Sequence, residues 1–376
     1  MGNNPLSLAW LRFPEEASLG RRYPEPVHAY RNVFQRDRDR ILHTRAFRRL
    51  ENKTQVFAPN LSDHFRNRLT HTLEVTQIAR TLADVLELNR DLTESLALVH
   101  DIGHPPFAHA GEDELNRQMI RFGETFNHNL HSLKIVESFE NSYAMFPGLN
   151  LTFEVREGMV KHSRDFELGE VKEIDPYLAG QRPPLEAQLI DLADETAYNT
   201  ADLDDAFCAG LFDLEDIANH VVEFGKILER IQMQYPAALE RIQFLECLRR
   251  LINLLVSGLA EGTHNSASSA GVKTVEEIRR HPVRLAKYSE PAKTTNRELK
   301  AFLAKRVYHS ATLAAERALS VKRIADLFAF YLEYPGRLPE PYREQANNRP
   351  RHQVVCEYIA GMTDGYCAKL HLELID

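Results

Sequence analysis

Residues 95–112 read SLALVHDIGHPPFAHAGE, and the rest of the chain is read outward from them. The run SLALVHDI continues a helix. Gly103 and the Pro105–Pro106 pair stop it, because proline lacks the N–H donor and clashes with the preceding turn. Three histidines and an aspartate, His100, Asp101, His104 and His109, fall within the ten residues 100–109. Adjacent residues on a helix diverge by about 100°. His100 and Asp101 can still meet one ion if the helix end points at it. Imidazole with carboxylate suits a divalent Mn, Fe, Co, Ni or Zn ion, and Mg less well. Alone, the dipeptide is weak evidence, since such pairs arise by chance.

Its company strengthens it. Upstream, Leu69, Leu73, Ile78, Leu82 and Val85 form one apolar stripe on a helix that also carries His71. Downstream, Asp194 lies in LIDLADETAYNTADL. His71, His100, Asp101 and Asp194 together would leave open positions on an octahedral ion for water and a phosphate oxygen, as hydrolysis requires. Taken singly, His71 reads as a core-edge histidine and Asp194 as a solvated carboxylate. A second group follows the first: His104, His109 and Glu112. As a pocket wall, it would let His109 give a proton to a leaving oxygen while Glu112 orients the ring. The bland alternative is a loop whose histidines merely cap helices. Asp194, Tyr198 and Asp202, spaced i, i+4, i+8, form one helical stripe that could hold a sugar. An exposed polar face edged by Tyr198 fits the spacing as well.

Helical periodicity dominates elsewhere. Asp91 is expected to cap the helix that leads to His100, with Glu94 three residues on. Further helices are expected near 111–120, 128–140, 152–162, 186–207, 219–257, 296–317, 320–333 and 351–372. Strand patterns are scarce, with at most a short hairpin near 53–63. Residues 168–184 read as a loop. Residues 261–273, EGTHNSASSAGVK, read as a mobile surface loop rich in Ser, Ala and Gly. The fold class is therefore all-α, without internal repeats. The chain is read as a single unit over 1–376, with a metal-binding core over 66–205 and a helical C-terminal extension over 206–376 packed on it.

Composition narrows the functions. The 376 residues are 43% hydrophobic and 27% charged, which is ordinary for a globular protein. A net charge of −8 argues against nucleic acid as the main partner, and the arginines of 36–49 read as a mixed, solvated helix face. The four cysteines form no CxxC pair and read as small buried hydrophobes of a reducing compartment. No apolar run approaches the roughly 20 residues of a membrane span, and MGNNPLSLAWLRF lacks the features of a signal peptide. A cytoplasmic location is expected.

Four long stretches carry a resemblance: RDRDRILHTRAFRRLENKTQVF, RLTHTLEVTQIAR, LALVHDIGHPPFAHAGEDELN and DLADETAYNTADLDDA. Together, and in this order, they resemble the deoxyguanosine triphosphate triphosphohydrolases of the HD superfamily. The closing VVCEYIAGMTDGYCAKL is similar to that family's last helix. The resemblance implies an all-helical HD-domain fold with additional C-terminal helices and a divalent metal held by His71, His100, Asp101 and Asp194. It implies cleavage of dGTP, or of a broader range of deoxynucleoside triphosphates, to deoxynucleoside and inorganic triphosphate. His109 matches the family's catalytic histidine and Glu112 its acidic partner. Arg68, His104 and His128 match phosphate contacts, and Lys161 is a further candidate for one. Tyr198 and Asp202 match the pair against the deoxyribose, where close packing of the ring would exclude a 2′-hydroxyl. Gln55 matches a contact to the 3′-hydroxyl and base. A ring-like homo-oligomer, with a hexamer as one form, and regulation by a bound dNTP are implied too. The competing readings are another HD-type nucleotide phosphohydrolase and a nucleotide sensor without turnover.

Overall fold

In a computed structural model, residues 4–57 and 64–375 are described. The all-α expectation holds: among the described residues there is no strand, only isolated bridges between Arg21 and Thr152 and between Thr54 and Asn67. Where a hairpin was expected near 53–63, Thr54 makes that single bridge, and residues 58–63 lie outside the described part.

Among the described residues, besides a short helix at Arg45–Arg49, six helices lead up to the long helix that crosses the core: α1 (Val33–Leu42), α2 (Arg68–Leu86), α3 (Arg90–Val99), α4 (Ala108–Ile120), α5 (His128–Lys134) and α6 (Phe153–Lys161). The long helix is α7 (Leu185–Cys208), and it packs against α2, α3 and α6. Asn32 and Asn67 start α1 and α2 with reciprocal capping boxes, each side chain accepting the third N–H of its helix. For α3 the cap differs from the sequence reading. Asn89, not Asp91, accepts from the N–H of Leu92. Asp91 sits inside the first turn, where its carboxylate accepts from Asn32 and Gln35 and ties α3 to α1.

The longer helices that follow are α8 (Val222–Gln234), α9 (Glu240–Ala270), α10 (Glu290–Leu303), α11 (Ala311–Glu333), α12 (Arg351–Ala360) and α13 (Asp364–Leu374), with short ones at Leu214–His220, Val275–Arg280 and Tyr342–Asn348. The expected helix over 219–257 breaks at Tyr235–Pro236, where proline cannot continue the hydrogen-bond ladder. The expected loop over 261–273 is instead helix as far as Ala270, closed by Gly271 at φ 68°. Its small residues serve close packing. A Cβ on Gly262 would lie 2.3 Å from the Lys287 carbonyl oxygen, and one on Gly258 would lie 2.2 Å from the Ala292 Cβ. A stretch rich in Ser, Ala and Gly therefore reads as a flexible loop by composition alone, although here it is helix, pressed at Gly262 against the backbone of residues 287–289.

The main core gathers apolar side chains from most of the helices between α1 and α10, α4 excepted, including Leu82, Leu96, Val155, Leu189, Leu251 and Phe302. Each such burial contributes about 1.5–3 kcal/mol. A second core joins Leu115 and Met119 of α4 to Ile324, Phe328, Val355 and Ile359. The helix that begins at the HD turn thus anchors its far end among the C-terminal helices. Cys247, Cys356 and Cys367 are buried thiols, whereas Cys208 is exposed. No described helix is long and apolar enough to cross a membrane.

Candidate active site

The site is assembled where α2, the end of α3 and α7 meet. His71, on the inward face of α2, is buried, as are His100 and Asp101 at the end of α3. The ligand atoms of these three lie within 4.8 Å of one another. Asp194, on α7, closes the group: its Oδ1 lies 2.7 Å from His71 Nε2 and 3.7 Å from His100 Nε2. His100 Nδ1 donates to the Ala97 carbonyl at 2.7 Å. That bond fixes the tautomer, so in the neutral ring Nε2 turns its lone pair inward. This Nε2 is buried and has no hydrogen-bond partner, as is also true of His71 Nδ1. A buried polar atom left unsatisfied is expensive, and an inward lone pair beside two carboxylates fits a cation. The His71, His100 and Asp101 cluster suits a divalent metal ion.

Burial and the neighbouring charges pull on these groups in opposite directions. Burial opposes ionisation of Asp101, but Arg68, His104 and His100 together hold its carboxyl well below the usual range. Burial likewise disfavours a charged His100, but Asp101 and Asp194 hold its imidazole up at about 9. Arg68 donates to Asp101 Oδ2 at 2.5 Å, and its Nε is buried without a partner.

A second cluster adjoins the first through His104. Its Nδ1 is 2.8 Å from Asp101 Oδ1, out of hydrogen-bonding alignment, and its ring stacks on His128 at 3.8 Å. Burial and the Arg68 charge push the His104 imidazole well below its ordinary value. Glu112 accepts from both the backbone N–H and Nδ1 of His128, at 2.9 and 2.7 Å. His109 Nδ1 lies 3.7 Å from Glu112 Oε2, too far for a hydrogen bond. The sequence reading made Glu112 the orienting partner of His109; in this geometry its bonded partner is His128. Despite burial, the His109 and His128 imidazoles hold the Glu112 carboxyl far below its ordinary value.

His109 itself projects outward, with its side chain 66% exposed. The backbone that carries it is unusual. Phe107 and Ala108 both have positive φ, 64° and 54°, which disfavours non-glycine residues by roughly 1–2 kcal/mol each. Gly111 makes the turn possible, since a Cβ there would sit 1.9 Å from the Pro106 carbonyl oxygen.

Tyr198 and Asp202 continue along α7 from the metal cluster. Tyr198 lies edge-on to His71 with ring centroids 6.3 Å apart. Tyr308 donates to Asp202 Oδ2 at 2.5 Å and lies 6.1 Å from the Tyr198 ring. Burial, against that bond, pushes the Asp202 carboxyl up to about 8. Tyr308 was missed from sequence: it stands 106 residues beyond Asp202, and no local pattern links them. Gln55 is buried beside the Thr54–Asn67 bridge, with Oε1 unpartnered.

Lys161 does not join this group. It is fully buried, and its ammonium donates to Glu157, to the Tyr177 carbonyl and to the Leu178 carbonyl. All three donors are used. The neighbouring His162 takes the place at the site instead. Its ring lies 5.8 Å from His100 and 6.4 Å from His128, and its Nδ1 donates to the Met159 carbonyl. The signal for it was present in VKHS, one residue on.

Comparison with known proteins places His71, His100, Asp101, His104, His109, Glu112, His128 and Asp194 inside a recognised family model. The HD domain matches residues 68–199, and the phosphohydrolase-associated domain matches 286–373. A deoxyguanosinetriphosphate triphosphohydrolase-like protein of Azoarcus sp. is 43% identical over 98% of this chain and 97% of its own. Proteins of the same description from Geobacter sulfurreducens and Thiobacillus denitrificans are 42% and 44% identical, over 93% and 94% of this chain and 90% and 93% of theirs.

Proposed function

Because this chain belongs to the deoxyguanosinetriphosphate triphosphohydrolase-like family of HD-domain proteins, we propose that it hydrolyses deoxynucleoside triphosphates. The substrate is dGTP or a broader range of dNTPs, and the products are the deoxynucleoside and inorganic triphosphate. The observation that carries this reading is the continuity of two clusters. His71, Asp194, His100 and Asp101 run without a gap into His104, His128, Glu112 and His109.

Under this reading His71, His100, Asp101 and Asp194 hold a divalent ion. When bound, the ion supplies Lewis acidity toward a phosphoryl oxygen and lowers the pKa of water. Water attacks the α-phosphorus in line, the bond from phosphorus to the 5′-oxygen breaks, and the triphosphate keeps the incoming oxygen. His109 gives a proton to the departing 5′-oxygen. Its exposure suits this role, because the donor must reach a substrate that enters from solvent. Arg68 offsets the negative charge of the triphosphate, and the His104 and His128 rings donate hydrogen bonds to its oxygens. Tyr198 packs on the deoxyribose, and Asp202, steadied by Tyr308, accepts a sugar hydroxyl. Gln55 contacts the 3′-hydroxyl and base. Lys161 has no part in this scheme, since its donors are engaged elsewhere. A homo-oligomer belongs to the same reading, and light scattering that finds only monomer would remove it.

The test is a product assay. Each dNTP, alone and then mixed with the others, is incubated with protein in Mg²⁺ or Mn²⁺, and products are followed by chromatography and phosphorus NMR. Equal release of deoxynucleoside and intact triphosphate is expected. Orthophosphate or pyrophosphate in their place would point to a different HD phosphohydrolase, and tight binding without turnover would point to a sensor.

A further inference from the structure

The turn that presents His109 is held from the far end of the chain. Phe107 is the N-cap of α4, yet it supplies no side-chain cap. Its backbone N–H, in left-handed conformation, donates to Asp364 Oδ1 at 2.9 Å, across 257 residues. The other oxygen of the same carboxylate, Oδ2, accepts the N–H of Thr54 at 2.8 Å. Thr54 directly precedes Gln55. One carboxylate at the start of α13 therefore pins two segments, the turn before His109 and the strand-like stretch that bears Gln55.

Its surroundings reinforce the clamp. Lys53 donates from a buried position to the His104 carbonyl and, at 3.5 Å, to the Ala360 carbonyl. Arg49 donates to the Gly361 carbonyl at 2.8 Å. These cations meet the carbonyl end of α12, where the helix dipole favours positive charge. Residues 49–54, 104–107 and 360–364 thus form one junction. It needs a carboxylate at 364, because an amide has one acceptor oxygen and would turn its own N–H toward the second donor.

We propose that Asp364 is a positioning residue for the reaction, acting through the placement of His109. Phe107 and Ala108 keep their left-handed backbone because the Phe107 N–H has a fixed acceptor. Without it the turn relaxes, and the proton donor drifts from the leaving oxygen. This inference rests on the reading of His109 as that donor.

The experiment is a double-mutant cycle with hydrogen exchange on the full-length protein. Asp364→Ala is expected to lower kcat by about 10²-fold, the scale of a displacement of about 1 Å, with metal content unchanged. Asp364→Asn, of the same shape, is expected to lose about tenfold; it also guards against an unfolded alanine variant. In a His109→Ala background, Asp364→Ala is expected to cost less than about threefold more, because groups that act as a unit are not additive. Full multiplication of the two losses would overturn the positioning role. Amide exchange in 104–111 is expected to quicken at least about tenfold in both Asp364 variants, with α7 unaffected. Unchanged exchange there would also overturn it. The exchange readout does not depend on the substrate, so if the wild-type protein releases no triphosphate, the functional reading fails while the clamp is still decided.

Discussion

The metal-cluster half of the site and the proton-donor half are built by different means. His71, His100 and Asp194 stand on helices that would form and bury for reasons of their own: an apolar stripe on α2, an apolar run on α3, a long amphipathic α7. Their chemistry is a by-product of helix packing, and three of the four candidate ligands are buried. His109 stands on two left-handed residues, mostly exposed, and its turn is tied to the other end of the chain. The first half is rigid because the core is rigid. The second is rigid only while a few long-range hydrogen bonds hold, so mutations should separate them by which property they disturb.

The largest effect is expected from His100→Ala, which removes the inward lone pair. Metal stoichiometry should collapse, and activity should fall by more than about 10³-fold, beyond the loss of a single electrostatic donor. In the unsubstituted protein, metal must displace the proton held on His100 up to about 9, so affinity should rise with pH below that value. A pH-independent affinity by titration calorimetry would break this half of the comparison. Next, His109→Ala should lower kcat by about 10²–10⁴-fold with metal retained. Loss of metal on that substitution would merge the two halves.

A smaller effect concerns stability. The Asp202 carboxyl is raised to about 8 in the folded chain, while in the unfolded chain it titrates near 3.9. Between those values the folded state binds the extra proton, so this group makes stability fall as pH rises, with no further change above about 8. Asp202→Asn should therefore raise Tm, by a margin that grows from pH 5 to pH 8, while weakening the reaction. A Tm gain that shrinks over that window would show that burial does not govern this carboxylate. The smallest effect on turnover is expected from Lys161→Met: kcat should stay within about twofold, because its donors serve Glu157 and two carbonyls. Glu157 keeps its two bonds from Arg279. A large loss in kcat would return Lys161 to the substrate.

Much of this was legible in residues 95–112 and their partners. Helix periodicity and the presence of His71 and Asp194 on amphipathic faces follow from local pattern, since a helix fixes which residues share a face, although α3 ends at Val99, short of the expected stop at Gly103. The failures are equally physical. Composition made 261–273 a loop, because local sequence does not say that Gly262 there admits the backbone of residues 287–289. The resemblance made Lys161 a candidate phosphate contact and passed over His162, because neighbouring residues at a helix end point to different partners. Glu112 was matched to the histidine three residues before it, although His128 makes the bonds.

By itself, then, the sequence determined the all-helical class, the start of α3 to within two residues, and a set of histidines and carboxylates able to bind a metal, whereas the break it suggested between 317 and 320 falls inside α11. The tertiary structure alone decided which of them meet. Asp194 reaches His71 across 123 residues, Tyr308 reaches Asp202 across 106, and Asp364 reaches Phe107 across 257. Periodicity specifies one face of one helix. The pairing of faces depends on how side chains fill the space between them, and that is settled only when the whole core packs.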